Sequence, residues 1–138
     1  MFDNKNLVYS LSALSAAVKI GFYTQRFETA EDFWMANNQM NFNATTALLI
    51  AIAEDTKKLD IEVKLNYAAI PWQNIADMRN ILAHDYRGID PDIVFDVVQN
   101  YLPRLQDALV EIVKSINNLN LNLYLSNQHY QHIRYLFM

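Results

Sequence analysis

The sequence predicts an all-α fold, an up-and-down bundle of four to five helices, and three observations lead to this prediction. Glycine occurs 2 times and proline 3 times in 138 residues, too few for the many tight turns of a β-sandwich or barrel. Apolar residues recur three or four positions apart along most of the chain, which is the period of an amphipathic helix. Combinations of Thr, Asp and Pro that favour helix starts precede several of these stretches.

The first predicted helix runs from about residue 4 to about residue 26. Its stripe of apolar residues has helical spacing and consists of Leu7, Leu11, Leu14, Val18 and Phe22. Ala13, Ser15 and other small residues keep the remaining faces narrow, so that a second helix can approach closely. This close approach is expected either in the core of one chain or in a dimer or partner interface.

A short helix is predicted next, because Thr29 followed by Asp32 forms a variant of the capping box. Residues 37–39 then interrupt the helical pattern or begin a new helix. The second long helix is expected from about residue 41 or 43 to residue 58. Its residues 47–53 are all apolar, and a helix that is apolar on all sides is buried on all sides, which predicts the central helix of the core.

Two lysines, Lys57 and Lys58, follow near the end of this helix. Cations suit the C-terminal end of a helix dipole, and a contact with phosphate is the alternative role for them. Residues 61–65 alternate in polarity and are either a short extended piece or a helical turn.

Residues 71–90 carry the functional hypothesis. Pro71 suits the first position of a helix, and Gly88 suits the left-handed residue that ends one. One side of the predicted helix is apolar, with Ile75, Met78 and Leu82, whereas the opposite side is polar, with Asp77, Asn80 and His84. A short helix with these two faces is a scaffold for a site.

Asp90 followed by Pro91 and Asp92 predicts the start of another helix. Its apolar stripe consists of Val94, Val97, Tyr101, Leu105, Ala108, Ile112 and Ile116. Pro103 lies inside this helix and predicts a kink, because proline removes one backbone hydrogen bond and clashes with the carbonyl of the preceding turn.

The last twenty residues differ from the rest, because Leu and Asn alternate strictly from residue 119 to residue 123. This segment either forms a strand with another chain or continues as a helix. We therefore assign residues 1–118 to a helical domain and residues 119–138 to a tail of uncertain structure, whose removal is expected to spare the fold. His129 and His132 lack a third ligand nearby, so no metal site is predicted there.

Composition and charge narrow the functional classes. The net charge is −4, which excludes the broad basic face of a generic nucleic-acid binder, so any contact with RNA must be local. The chain has no cysteine, which is consistent with a reducing cytosol. No uninterrupted apolar run is long enough to span a bilayer, and no signal peptide is recognised, so we expect a cytoplasmic protein without a membrane partner.

Arg79, His84 and Tyr86 form an Arg-x4-His-x-Tyr motif within the stretch 71–90. The motif is joined by Pro71-Trp72, Met78-Arg79-Asn80, Asp90 and Leu102-Pro103. With these residues the chain resembles, over roughly residues 7–116, the HepT-like branch of the HEPN family. Members of this branch are toxin ribonucleases paired with nucleotidyltransferase antitoxins, so the resemblance implies a metal-independent endoribonuclease of a type VII-like toxin–antitoxin pair, with no cofactor.

The resemblance also implies a role for each residue of the motif. His84 would be the general base or acid for attack by the ribose 2′-hydroxyl, and Arg79 would stabilise the phosphate. Asn80 and Asp77 would support them, and Tyr86 would accept AMP from the antitoxin. Without the resemblance, Arg79 is more simply an ion-pair residue, with Asp77 or with a neighbouring helix as its partner.

The spacing of the motif raises a geometric difficulty. Five residues place Arg79 and His84 about 140° apart around a regular helix. They can act together if the arginine side chain wraps round the helix, if the helix unwinds near Ala83, or if a second subunit contributes. We expect the third route, a homodimer or higher oligomer with a shared cleft. The alternative interpretation is a non-catalytic helical adaptor that presents substrate to a nucleotidyltransferase.

Overall fold

The computed structural model describes residues 4–84, 88–116 and 121–138, and all regular structure within these ranges is helical, as predicted. Eight α-helices follow one another in the described ranges: α1 (Asn4–Thr24), α2 (Ala30–Met35), α3 (Met40–Lys57), α4 (Ile61–Leu65), α5 (Trp72–His84), α6 (Pro91–Asp96), α7 (Leu102–Ser115) and α8 (Leu121–Leu125). The four long helices, α1, α3, α5 and α7, form the bundle. In it α1 packs against α3 and α7, and α3 packs against α5.

The central helix of the core is α1. Leu7, Leu11 and Leu14 are completely buried along it, and Ala13 and Ala16 are buried where neighbouring helices approach. The small residues therefore serve core packing within one chain. Since Leu7, Leu11, Leu14 and Val18 are buried, most of the predicted stripe is confirmed, but Phe22 is 54% exposed and was wrongly placed in it. Thr24 is buried instead, with its hydroxyl donating to the carbonyl of Ile20 at 2.8 Å.

The prediction that residues 47–53 are buried on all sides is wrong. Leu49, Ile52 and Ala53 are buried, but Ala47 is exposed and the others are partly exposed. The reason is the place of α3 in the bundle. It packs between α1 and α5, and these two neighbours leave part of its surface open.

By length and composition alone, α1 is long and apolar enough to cross a membrane, although Lys19 and several serines interrupt its apolar residues. In the fold, 61% of its most apolar 18-residue window is buried inside the protein. Core helices of globular domains have the same composition, because every side of such a helix contacts other apolar surfaces.

Polar contacts at the two ends of the helix pair show that α1 and α3 are antiparallel. At one end Asn6 Nδ2 donates to Asp60 Oδ2 at 3.0 Å, and at the other Asn41 Nδ2 donates to the carbonyl of Tyr23 at 2.9 Å. Asp60 also forms an ion pair with Lys5 at 2.6 Å. Hydrogen bonding from Lys5 and Asn6 lowers the pKa of Asp60.

Both helix starts predicted from capping residues are confirmed. The backbone N–H of Asp32 donates to Thr29 Oγ1 at 3.1 Å, and that of Asp92 donates to Asp90 Oδ1 at 2.9 Å. Residues 61–65, for which two alternatives were open, are helical. The interruption at residues 37–39 is a turn in which three consecutive residues have positive φ, from 51° to 68°. Asparagine tolerates this left-handed conformation better than most residues.

The kink predicted at Pro103 takes the form of a π-helical segment, Val97–Tyr101, between α6 and α7. The N–H of Leu102 bonds to the carbonyl of Val97, five residues back. A wider turn offsets the residues within it and directly after it from the regular helical period. As a result Leu102 is buried, whereas Tyr101 is 49% exposed and was wrongly assigned to the apolar stripe. Further along, Leu105, Ala108 and Ile112 are buried as predicted.

The C-terminal residues pack on the bundle. Of the two alternatives for the Leu/Asn segment, the helical one is confirmed for residues 121–125, and residues 119 and 120 lie outside those described. A 3₁₀ helix, Gln128–Phe137, follows and packs against α1. Within this tail Leu125 and Ile133 are buried in the core. The burial of these residues argues against the expectation that the tail can be removed without loss of fold.

Candidate functional site

The two faces predicted for the motif helix are confirmed in α5. Leu82 is buried and Ile75 and Met78 are partly buried on one side. Asp77, Asn80 and His84 are all exposed. The helix begins at Trp72, so Pro71 lies just before its first position, and the carbonyl of Pro71 accepts the hydrogen bond from the N–H of Ile75 at 3.1 Å. Gly88 adjoins residues 85–87, which lie outside those described, so its predicted role as helix terminator stays a prediction.

Arg79 points towards α3. Its Nε and Nη2 atoms both lie 3.3 Å from Glu54 Oε1, which forms an ion pair between neighbouring helices. Of the two ion-pair partners that the sequence suggested, a residue on a neighbouring helix is therefore confirmed. Asp77 accepts instead from Gln73 Nε2 at 2.9 Å.

His84 is the last residue of α5 and is exposed. Because α5 remains helical through Ala83, the unwinding route does not bring His84 to Arg79. Arg79 is held at Glu54, so its side chain does not wrap round the helix towards His84 either. A single chain in this structure therefore keeps the two residues on different sides of α5. Tyr86 lies outside the described residues.

A groove lies beside Arg79, between the second half of α3, α4 and the first half of α5, and we call it the α3–α5 groove. Its volume is about 1310 Å³. Three of the predicted site residues, Asp77, Arg79 and Asn80, line it together, whereas His84 does not. The groove thus joins the predicted phosphate-binding arginine to the surface around the end of α3.

Trp72 holds one wall of this groove in place. Its indole N–H is shared between the carbonyls of Lys64 and Tyr67, both at 3.1 Å, and so links the start of α5 to α4 and the turn after it. Lys64 in turn donates from Nζ to the carbonyl of Lys57 at the end of α3, at 3.2 Å. Burial, with the nearby charge of Lys57, lowers the pKa of Lys64.

Two residues of this region, Glu54 and Lys64, were not predicted as site residues. Glu54 lies 25 positions before Arg79 in the chain, and no periodic pattern links residues that far apart. Lys64 follows Lys57 by seven residues, but a turn separates their helices. Neither relation leaves a local signal in the sequence.

No three His, Cys, Asp or Glu side chains come together as a metal site in the part of the chain that the structure describes. His132, one of the two histidines considered as metal ligands, contacts α1 instead. Its Nε2 lies 2.9 Å from Ser15 Oγ and 3.3 Å from the carbonyl oxygen of Ser15.

Comparison with protein families finds a match to a family described as ribonuclease HepT-like, over residues 14–112. This range is well over half of the chain and includes all of α5. Among curated proteins, one of Thermococcus cleftensis named "Probable ribonuclease HepT" is 31% identical over 84 residues, which cover 61% of this chain and 74% of that protein.

Two further relatives come from Methanocaldococcus jannaschii. One, named "Gamma-glutamylcyclotransferase and putative RNase", is 28% identical over 117 residues, or 85% of this chain. The other, named "Putative RNase", is 28% identical over 100 residues, or 72% of this chain and 80% of its own length. The chain spans only 51% of the length of the first. No solved structure matches the chain.

Proposed function

We propose that this chain, which belongs to the HepT-like ribonuclease family, is a metal-independent endoribonuclease that acts in the cytoplasm. The observation that carries the proposal is the family match over residues 14–112, which includes α5 with Arg79 and His84. His84 is exposed and Arg79 lines an open groove, so both are accessible to a substrate as large as RNA.

The chemistry proposed for these two residues needs no metal ion. The imidazole of His84 has a ring nitrogen that can accept the proton of a ribose 2′-hydroxyl as that oxygen attacks the adjacent phosphorus. The bond from phosphorus to the 5′-oxygen of the next nucleotide then breaks, and that oxygen takes up a proton from water, while the proton on His84 returns to solvent. Arg79 offers a planar fork of N–H donors to the phosphate oxygens as negative charge develops. The products are a 2′,3′-cyclic phosphate and a 5′-hydroxyl.

The test is incubation of the purified protein with total cellular RNA, with and without a chelator of divalent cations. We expect cleavage that survives chelation, leaves cyclic-phosphate ends and is lost in His84→Ala. Complete dependence on added magnesium would rule out this mechanism. Equal cleavage by the parent and by His84→Ala would point to a contaminating nuclease.

The proposed active unit is a homodimer in which the motif helices of two chains meet at a shared cleft. Its support is that a single chain keeps Arg79 and His84 on different sides of α5, so Arg79 of one chain needs His84 of another. Apolar surface is available for such an interface, since Ile81 on α5 and Ile93 on α6 are 60% and 63% exposed.

The proposed regulation is neutralisation by a nucleotidyltransferase antitoxin that attaches AMP to Tyr86. Tyr86 follows His84 by two residues, so a nucleotide attached there would place a phosphate and a base beside the proposed catalytic histidine. Tyr86→Phe removes only the acceptor oxygen. We expect this variant to cleave RNA and to escape neutralisation, so that cells making both proteins are poisoned by the variant alone.

Mass spectrometry after incubation with the partner enzyme and ATP checks the position of the modification. If the parent is adenylylated at another residue, and Tyr86→Phe is modified equally, the assignment to Tyr86 is wrong. If the hydroxyl also contacts the RNA phosphate, Tyr86→Phe cleaves RNA more slowly. The loss of one hydrogen bond raises the activation free energy of cleavage by about 0.5–3 kcal/mol.

A second candidate function is a non-catalytic adaptor that binds a nucleotidyltransferase and presents substrate to it. The observation in its favour is that Arg79 is bound to Glu54 and separated from His84 within one chain. The two functions predict different results in one assay. An adaptor leaves RNA intact in both the parent and His84→Ala, whereas a ribonuclease cleaves it in the parent alone.

A further inference from the structure

We propose that the α3–α5 groove binds the phosphate backbone of the RNA beside the cleavage site, through Lys57 and Lys64. This inference rests on the proposed ribonuclease function, because it concerns the path of the same substrate. Arg79 lines the groove and is the residue proposed to hold the phosphate at which cleavage occurs. The phosphates next to it in the strand must lie on the adjoining surface.

The charge of the groove is opposite to that of the chain as a whole. The chain has 11 basic and 15 acidic residues. The groove is lined by four basic residues, Lys57, Lys58, Lys64 and Arg79, and by two acidic ones, Glu54 and Asp77. A local cationic surface of this kind is what an acidic protein needs to attract an RNA strand, since phosphate neutralisation supplies most of the sequence-independent affinity.

The acidic residues around the lysines are already engaged elsewhere. Asp55 accepts a hydrogen bond from Ser12 Oγ at 2.6 Å, on the side of α1. Asp60 is paired with Lys5, also at the start of α1. Glu62 is exposed on α4 but does not line the groove. Within the described residues, neither Lys57 nor Lys64 forms an ion pair with a carboxylate.

The position of Lys64 is fixed while most of its donors remain available. One of the three ammonium hydrogens goes to the carbonyl of Lys57, which leaves two for a ligand. The contact also holds the two lysines close together, so an anion bound between them relieves their mutual repulsion. Lys58 is a poorer candidate, because its ammonium lies 4.9 Å from the centre of the Tyr9 ring.

The test measures RNA binding without cleavage, in chains that all carry His84→Ala. The groove variant has Lys57→Gln and Lys64→Gln, and glutamine keeps a donor for the carbonyl of Lys57. The matched control has Lys19→Gln and Lys114→Gln, which change the net charge equally but lie outside the groove lining. Thermal unfolding checks that both variants fold.

The measured quantity is the dissociation constant for a short single-stranded RNA over a range of salt concentrations. A plot of log affinity against log salt has a slope of about −0.7 per phosphate contact on single strands. We expect the slope to become less steep by about 1.4 in the groove variant and to stay unchanged in the control. Lys57→Arg with Lys64→Arg should keep the parental slope, because arginine keeps the charge.

Equal slopes in the groove variant and the control would overturn the groove proposal. It would also be overturned if the groove variant bound RNA normally but lost binding of the nucleotidyltransferase, which would make the groove a protein-binding surface. Failure of the ribonuclease function is seen separately, as the absence of cleavage by the parent chain with His84 intact.

Discussion

Among the described residues, the ion-pair partner of Arg79 is Glu54, and in the proposed complex a phosphate takes its place. Its contact with Glu54 uses a single carboxylate oxygen at 3.3 Å, and both side chains are more than a third exposed. Exposed ion pairs of this kind contribute about 0–1 kcal/mol to stability. A phosphate can therefore replace Glu54 at little cost, because it offers the guanidinium two oxygens in a matching geometry.

Glu54→Gln should distinguish the effect of this contact on stability from its effect on RNA binding. We expect the free energy of unfolding to change by less than about 1 kcal/mol. The KM for RNA should fall, because the carboxylate no longer competes with phosphate for Arg79. Urea unfolding and steady-state kinetics check the two expectations, with Glu62→Gln as a control of equal charge change outside the groove. A rise in KM would show instead that Glu54 positions Arg79 for catalysis.

Asp55 allows a prediction about pH. Burial raises its pKa above the ordinary value of 3.8, and the hydrogen bond from Ser12 only partly opposes this. The folded chain therefore holds this proton more tightly than the unfolded chain, and the contribution of Asp55 to stability declines as pH rises through the raised pKa. Asp55→Asn removes the decline, because the amide stays neutral and its oxygen can still accept from Ser12.

We therefore expect Asp55→Asn to be more stable than the parent at neutral pH and similar to it below pH 3.8. Urea unfolding at the two pH values measures the difference, and the comparison with the parent cancels the titration of the other carboxylates. A variant that is less stable than the parent at neutral pH would contradict this account of Asp55.

The C-terminal 3₁₀ helix has a larger part in the core than the sequence predicted. It lies on α1, where Ile133 is completely buried and His132 contacts Ser15. Leu125 of α8 is also buried in the core. The segment therefore covers apolar surface of the central helix, and its removal would expose that surface to water.

Truncation of Ile133 to Ala should reduce the free energy of unfolding by about 2–5 kcal/mol, because it leaves a cavity beside α1. Leu123→Ala is the matched control, since Leu123 is 71% exposed and its loss should have little effect. Thermal and urea unfolding measure both. Deletion of residues 121–138 should be at least as damaging, and cooperative unfolding at the parental temperature in the deleted chain would refute this role of the tail.

At the scale of the whole molecule, the proposed site is incomplete in one chain. The long helices form a closed core, yet α5 presents Ile81, which is 60% exposed, between Arg79 and His84 in sequence. An interface that covers Ile81 would bring a second copy of α5 to the motif. The proposed homodimer would account both for the exposed apolar residue and for the separation of Arg79 from His84.

Ile81→Glu should weaken this assembly, because it places a charge in an apolar interface. We expect light scattering to give the mass of a dimer for the parent and of a monomer for the variant, together with loss of RNA cleavage and retention of the fold. Leu123→Glu, on α8, is the control. A parent that is monomeric at micromolar concentration and still cleaves RNA would contradict the shared cleft.

Structural features that depend on residues close together in the chain could be predicted from the sequence. The all-α class, the caps at Thr29 and Asp90 and the two faces of α5 follow from composition, capping residues and helical periodicity, and the structure confirms them. These features were predictable because the residues that produce them lie within about one or two turns of each other.

The choice of central helix, the packing of the tail and the contact of Arg79 depend instead on residues that are far apart in the chain. The partner of Arg79 lies 25 positions away in the chain, and Ser15 and His132 are 117 positions apart. The exposure of Tyr101 also followed only from the π-helical segment Val97–Tyr101, whereas Leu105, Ala108 and Ile112 of α7 are buried as their period predicted. These features depend on which helices pack against each other. The hydrophobic period of one helix shows which of its faces is buried, but it does not specify the helix that covers that face.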